Sequence, residues 1–72
     1  MKNYHINLFF SEDDDCWVAD VPDLRYCSAM GETPEDALKE IKIAMSAWLA
    51  AARKHHKPIP KPAYRPAIYQ LA

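Results

Sequence analysis

The segment that most constrains the fold is GETPEDALKEIKIAMSAWLAAARKHH, residues 31–56, because it carries the signals that begin and orient an amphipathic helix. Thr33 is a good N-cap, and Pro34 has the fixed φ angle that suits the first helical position. Glu35 and Asp36 place negative charge at the positive end of the helix dipole. The sequence therefore predicts a helix that begins at Pro34.

Apolar residues recur along this helix at spacings of three and four, so they share one stripe that can cover a sheet. The stripe consists of Leu38, Ile41, Met45, Trp48, Leu49 and Ala52. We interpret Trp48 as a core residue. The basic residues at 53–57 lie where the dipole is negative, which indicates either a helix terminus or a contact with a local partner.

The N-terminal residues 3–10 have the period of two expected of a strand with one buried face. The side chains predicted to face the core are Tyr4, Ile6, Leu8 and Phe10. Only Phe9 breaks the alternation, because it is apolar at a position predicted to face solvent.

Two further runs complete a predicted antiparallel sheet. Residues 17–21 alternate again, and the short acidic loop before them indicates a β-hairpin with the first strand. Pro22 ends the second strand because proline cannot donate a ladder hydrogen bond. A third run over 26–30 is closed by Gly31, the only glycine.

Prolines punctuate the segment after the helix and favour an extended, semi-rigid path. The closing AIYQLA, residues 67–72, is rich enough in Ile and Tyr to predict one more strand. The predicted fold is α+β with the order β-β-β-α-β: a three-stranded antiparallel sheet packed against one long helix, plus a short C-terminal strand. We divide it into a domain over 1–57 and a proline-rich connector with that strand over 58–72.

The chain has 72 residues, and at this length a single core supplies only about 3 to 5 kcal/mol. Because the sheet also has open edges, we expect a homodimer or higher oligomer. The tail can reach a neighbour and add a strand to it. Its candidate oligomer contacts are Ile68, Tyr69 and Leu71.

Charge and cysteine content exclude several function classes. The net charge of −1 disfavours nucleic acid and anionic membranes as direct partners. The start of the chain has neither a signal peptide nor a membrane span, so we expect a cytoplasmic protein. Cys16 and Cys27 have the spacing of neither a redox motif nor a zinc knuckle, and we interpret them as small buried or edge residues. The alternative is a surface metal site that they form with His55 and His56. We predict no cofactor.

Four consecutive acids, Glu12, Asp13, Asp14 and Asp15, occupy the predicted hairpin loop. Neighbouring carboxylates in a loop repel one another and do not match the spacing of a calcium loop or a two-metal site. Three interpretations stay open: a solvated turn that discourages edge aggregation, an electrostatic contact with a basic protein partner, and a metal site. Nucleophilic catalysis has no supporting motif, and we predict no catalytic residue.

The run from Cys16 to Leu49 combines an aromatic-led strand, a V-P-D-L turn at 21–24, a cysteine at 27, G-E-T before a helix at 31–33 and W-L at 48–49. This order of motifs resembles the HicB-like antitoxin family over about residues 2–60. Tyr26 stands where that family usually has glycine, and Asp36 where glutamate is commoner.

The resemblance implies a partly degraded ribonuclease H fold and a partner, the small RNA-cleaving toxin HicA. The antitoxin would mask the active surface of the toxin without turnover. Many relatives carry a DNA-binding segment where this chain ends, so we expect no direct operator binding. One alternative is an orphan oligomeric protein without a toxin. A second is a ribonuclease H-like nuclease, which requires a first-strand carboxylate that residues 3–10 lack.

Overall fold

A computed structural model of the chain describes residues 3–69. Its elements are strands β1 (Asn7–Ser11), β2 (Cys16–Asp20) and β3 (Ser28–Gly31), helix α1 (Pro34–Lys54) and a 3-10 turn (Ala67–Tyr69). The strands form one antiparallel sheet in the order β1-β2-β3, and α1 covers one face. The predicted α+β class is confirmed. Within residues 3–69, no helix combines the length and apolarity needed to cross a membrane.

The helix begins where the sequence predicts, at Pro34. Thr33 has an extended backbone, with φ −127° and ψ 161°, and its side-chain oxygen accepts a hydrogen bond from the Asp36 amide at 3.1 Å. The Ala37 amide donates to the Thr33 carbonyl at 3.1 Å. The Thr33 side chain therefore satisfies the Asp36 amide, which has no acceptor within the helix, and the Ala37 amide makes the first regular hydrogen bond of the helix.

The buried stripe of α1 differs from the predicted one. Its buried residues are Ala37, Ile41, Met45, Leu49 and Ala52. Leu38 and Trp48 are only half-buried and pack against the margin of the core. Adjacent helical residues point about 100° apart, so a stripe centred on Leu49 turns Trp48 toward the side of the helix.

The first strand was predicted over 3–10, but its paired part is Asn7–Ser11. Tyr4 is buried and Ile6 packs on the core, as predicted, although both precede the strand. The prediction was wrong for Leu8 and Phe10, which are 40% and 46% exposed. Because α1 lies mainly over β3 and β2, the edge strand β1 receives little cover from it.

The tail differs from the predicted C-terminal strand. Ala67–Tyr69 form a 3-10 turn, closed by a hydrogen bond of 2.9 Å from the Tyr69 amide to the Pro66 carbonyl. A strand needs a partner edge, and no strand within residues 3–69 pairs with this segment. The remainder of the predicted strand, including Leu71, lies outside the described residues.

The connector after α1 folds back onto the domain. Ile59 packs against the core, and the Tyr4 hydroxyl donates a hydrogen bond to the Pro60 carbonyl. The Tyr64 amide donates to both carboxylate oxygens of Asp23, at 3.1 and 3.2 Å. The division of the chain at 57/58 stays a prediction.

Candidate protein-binding surface

The strand register determines which side chains share the face of the sheet that α1 leaves uncovered. Residues directly opposite one another on paired strands lie on the same face, and successive residues alternate between faces. Ala19 belongs to the core beneath α1 and is fully buried, so its neighbour Val18 lies on the other face. Val18 is opposite Phe9 on β1 and opposite Met30 on β3. We call Phe9, Val18 and Met30 the outer row.

The outer row is apolar across all three strands. Phe9 is 47% and Met30 57% exposed, whereas Val18 between them is buried although it does not belong to the cluster under α1. Isolated apolar residues on a surface are ordinary, but adjacent ones that form a patch mark sites of protein association. The outer row is therefore the candidate centre of a protein interface.

Polar groups border the outer row on both sides. One flank is formed by Asn7, Asp20 and Ser28, which face one another across the strands. The other flank, Ser11 and the half-buried Cys16, leads into the β1–β2 loop. An apolar centre with a polar border is the usual layout of a protein interface.

The four loop acids, Glu12–Asp15, are all exposed, and we call them the acidic tip. The Ser11 hydroxyl donates to the Asp14 carboxylate at 2.8 Å and accepts from the Asp14 amide at 3.3 Å. Asp15 has φ 51°, in the left-handed region that aspartate tolerates better than most residues. Within residues 3–69, no group of three or more His, Cys, Asp or Glu side chains is arranged to hold a metal ion. The tip thus presents negative charge to solvent next to the outer row.

The VPDL turn after β2 forms a compact, hydrogen-bonded loop. The Val21 amide donates to the Cys27 carbonyl at 3.0 Å, and the Cys27 amide to the Leu24 carbonyl at 3.0 Å. All three side chains are buried. Burial, and next the negative charge of Asp20, raise the pKa of the Cys27 thiol. Cys27 is therefore a protonated packing residue, as the sequence indicates.

Tyr26 is a surface residue that the sequence pattern did not predict. It is 91% exposed and has φ 61°, a backbone conformation that costs a non-glycine residue about 1 kcal/mol. The Arg25 guanidinium lies 5.5 Å from its ring, and the Trp48 indole N–H donates to the Arg25 carbonyl at 3.0 Å. The one available signal was the resemblance described above, which implies a glycine at this position.

The predicted site residues lie in two parts of the chain, and the structure describes all of them except Leu71. The acidic tip is one continuous exposed loop, and Ile68 and Tyr69 are exposed in the tail. The binding roles of both groups remain predictions. The sequence reasoning missed Phe9 and Met30; the break in alternation at Phe9 was the signal that could have identified the outer row.

Comparisons with known proteins identify relatives of this chain. The family model described as HicB_like antitoxin of bacterial toxin-antitoxin system matches residues 3–67. The UPF0150 protein ssl0259 of Synechocystis sp. is 41% identical over 44 residues, which cover 61% of this chain and 60% of that protein. The UPF0150 protein Ta0767 of Thermoplasma acidophilum is 36% identical over 54 residues, covering 75% and 78% respectively. No solved structure matches, so the relation to ribonuclease H stays a prediction. Because the family model matches nearly all of the described residues, the chain belongs to the HicB-like antitoxin family.

Proposed function

We propose that this protein neutralises a small RNA-cleaving toxin of the HicA type by binding it and masking its active surface. Membership of an antitoxin family supports an antitoxin role in general. The observation that carries the finer proposal is the acidic tip beside the outer row, in which Phe9 and Met30 are exposed. This surface suits a protein that has both apolar and cationic groups at its active surface.

A protein that binds RNA needs Lys and Arg to contact phosphates, so its active surface is cationic. The acidic tip can steer such a partner and compete with RNA for the same groups. Exposed charges act mainly on the association rate and its salt dependence. The outer row would supply most of the binding energy, since buried apolar anchors dominate interfaces.

We propose stoichiometric inhibition rather than catalysis. A ribonuclease H-like mechanism requires a carboxylate in the middle of the first strand, and β1 (Asn7–Ser11) carries none. The orphan alternative predicts the same surface without a toxin partner. A small basic protein encoded beside this chain favours the toxin–antitoxin pair, and its absence favours the orphan.

A secondary contribution of the tail to self-association is also a proposal. Ile68 and Tyr69 are exposed apolar residues of the 3-10 turn and are available to contact a second copy. Leu71, the third predicted contact, is part of the same proposal.

The acidic tip is tested by neutralising all four acids to Asn or Gln and measuring association with a HicA-type toxin by stopped flow. We expect the association rate to fall several-fold at low ionic strength. The effect should be much smaller at about 0.5 M salt, where the Debye length is only a few Å. An unchanged rate at low salt would leave the tip as a solvated turn.

A matched pair of variants separates the tip from the overall charge of the protein. Glu12→Gln/Asp13→Asn and Glu35→Gln/Glu40→Gln each remove two exposed negative charges, the first pair from the tip and the second from α1. If the tip steers the toxin, the first pair slows association more than the second. Equal slowing would mean that net charge alone controls the rate.

A further inference from the structure

The free edge of β1 is the least protected part of the sheet. Within residues 3–69, β1 pairs only with β2, and its other edge has no strand beside it. Exposed edges are normally blunted by charge, proline or a bulge. The sequence of β1, NLFFS, has no charge and no proline, and it exposes Leu8, Phe9 and Phe10 in a row. Such an edge is expected to be covered.

The other described residues, up to position 69, do not supply the cover. The tail is held near the start of β1, where the Tyr64 ring lies 4.6 Å from the ring of His5, and it then forms the 3-10 turn. The opposite edge strand, β3, is a poorer candidate for pairing, because it exposes one large apolar side chain, Met30. The occupant of the β1 edge must therefore come from outside the described chain.

The chemistry of β1 is symmetrical about Phe9: polar, apolar, apolar, apolar, polar. A two-fold axis places one antiparallel copy of a strand against another, so residues at equal distances from the centre face each other. With the axis at Phe9, the two Phe9 residues are opposite, Leu8 faces Phe10 of the second copy, and Asn7 faces Ser11. Apolar meets apolar, and polar meets polar, at every position.

We propose that two copies of this chain pair through β1 in this register and form one continuous six-stranded sheet from two three-stranded ones. The two outer rows then join into a single apolar row across all six strands. This inference concerns self-association and holds whether or not a toxin binds.

Electrostatics favours the same register. Each acidic tip follows the C-terminal end of its own β1, so antiparallel pairing places the two tips at opposite ends of the joined strands. Five strand residues span about 17 Å at about 3.4 Å per residue, which exceeds the Debye length of about 8 Å at physiological ionic strength. Moving the axis toward Ser11 would bring the like charges together and separate the apolar pairs.

The expected affinity is modest. An aromatic side chain offers about 150–250 Å² in total, and Phe9 and Phe10 are each about half exposed. Even with both copies counted, the apolar area is below the roughly 1,000 Å² of a stable interface. We therefore expect a reversible, concentration-dependent dimer.

A disulfide across the axis tests the register. Opposite residues of antiparallel strands have Cα atoms about 4.5 to 5.5 Å apart, within the range that a disulfide spans. In a Cys16→Ser background that retains the buried Cys27, Phe9→Cys should form a covalent dimer under mild oxidation at least about tenfold faster than Met30→Cys. Met30 lies on the same face and is more exposed, so it reports random collision. Equal rates for the two variants would overturn the register.

Sedimentation of uncrosslinked variants tests the edge itself. The wild type should dimerise with increasing concentration, Phe9→Lys should remain monomeric with an unchanged circular dichroism spectrum, and Ile68→Ser/Tyr69→Ser should still dimerise. A monomeric wild type, or loss of the dimer only in the tail variant, would overturn the proposal. The second result would assign self-association to the tail instead.

Discussion

Replacing Gly31 with alanine should destabilise the protein strongly, because β3 meets the start of α1 at this residue. An alanine Cβ would lie 2.4 Å from the Ala37 amide nitrogen and 2.8 Å from the Asp36 carbonyl carbon. Ordinary Cβ contacts begin at 3.4 Å, so the strand and the helix must separate by about 1 Å. The atoms in the way belong to backbone that Thr33 caps, so they cannot rotate aside.

The expected change in the free energy of unfolding combines two destabilising effects and one stabilising effect. Overpacking costs about 1 to 3 kcal/mol, and weakening the Thr33 cap costs about 1 kcal/mol. Replacing glycine with alanine restores about 0.4 to 1 kcal/mol through the unfolded chain. The free energy of unfolding should fall by about 2 kcal/mol, and each kcal/mol lowers Tm by about 4–8 °C in a domain of this size.

Urea unfolding followed by tryptophan fluorescence measures the change in free energy directly, and circular dichroism gives Tm. Ser28→Ala is the matched control, because Ser28 is exposed on the same strand. The control should stay within about 0.5 kcal/mol of wild type. A Gly31→Ala variant as stable as this control would refute the close approach of strand and helix.

Two further predictions test local features. Alkylation should modify Cys16 first and Cys27 slowly even at about pH 9, because Cys27 is buried and its raised pKa keeps the thiol protonated. Mass spectrometry of the labelled peptides identifies the modified residue. Equal labelling of the two cysteines in the folded protein would contradict this prediction. Asp23→Ala should release the connector and speed amide hydrogen exchange at Tyr64. Asp13→Ala, which removes an exposed carboxylate elsewhere, should not change this exchange rate. An unchanged rate in Asp23→Ala would mean that the Asp23 carboxylate does not hold the connector.

The start of the helix could be predicted because its signals are local. Thr33 and Pro34 act on the amides of the following turn, within a few residues of sequence. The hairpin was predictable for the same reason, since alternation on either side of a short polar loop favours antiparallel pairing.

The exposed side of β1 could not be predicted because it depends on where α1 crosses the sheet. Alternation indicated that Leu8 and Phe10 are buried, but the helix lies mainly over the other two strands. The positive φ of Tyr26 likewise follows from closure of the turn between Leu24 and Cys27, which residue type alone does not specify. The tail was predicted as a strand from composition, although a strand requires a partner edge.

The most direct test of the proposed function is titration of this protein into an RNA-cleavage assay of a HicA-type toxin, the partner proposed above. We expect inhibition that is complete at a fixed stoichiometry, with no loss of RNA when this protein is added alone. Met30→Asp should weaken the inhibition at least about tenfold, as expected for a central interface residue. Ile43→Asp should not, although Ile43 is equally exposed at 57%, because it lies on α1 away from the outer row. Cleavage that continues in the presence of excess wild-type protein, or equal effects of the two variants, would contradict the account.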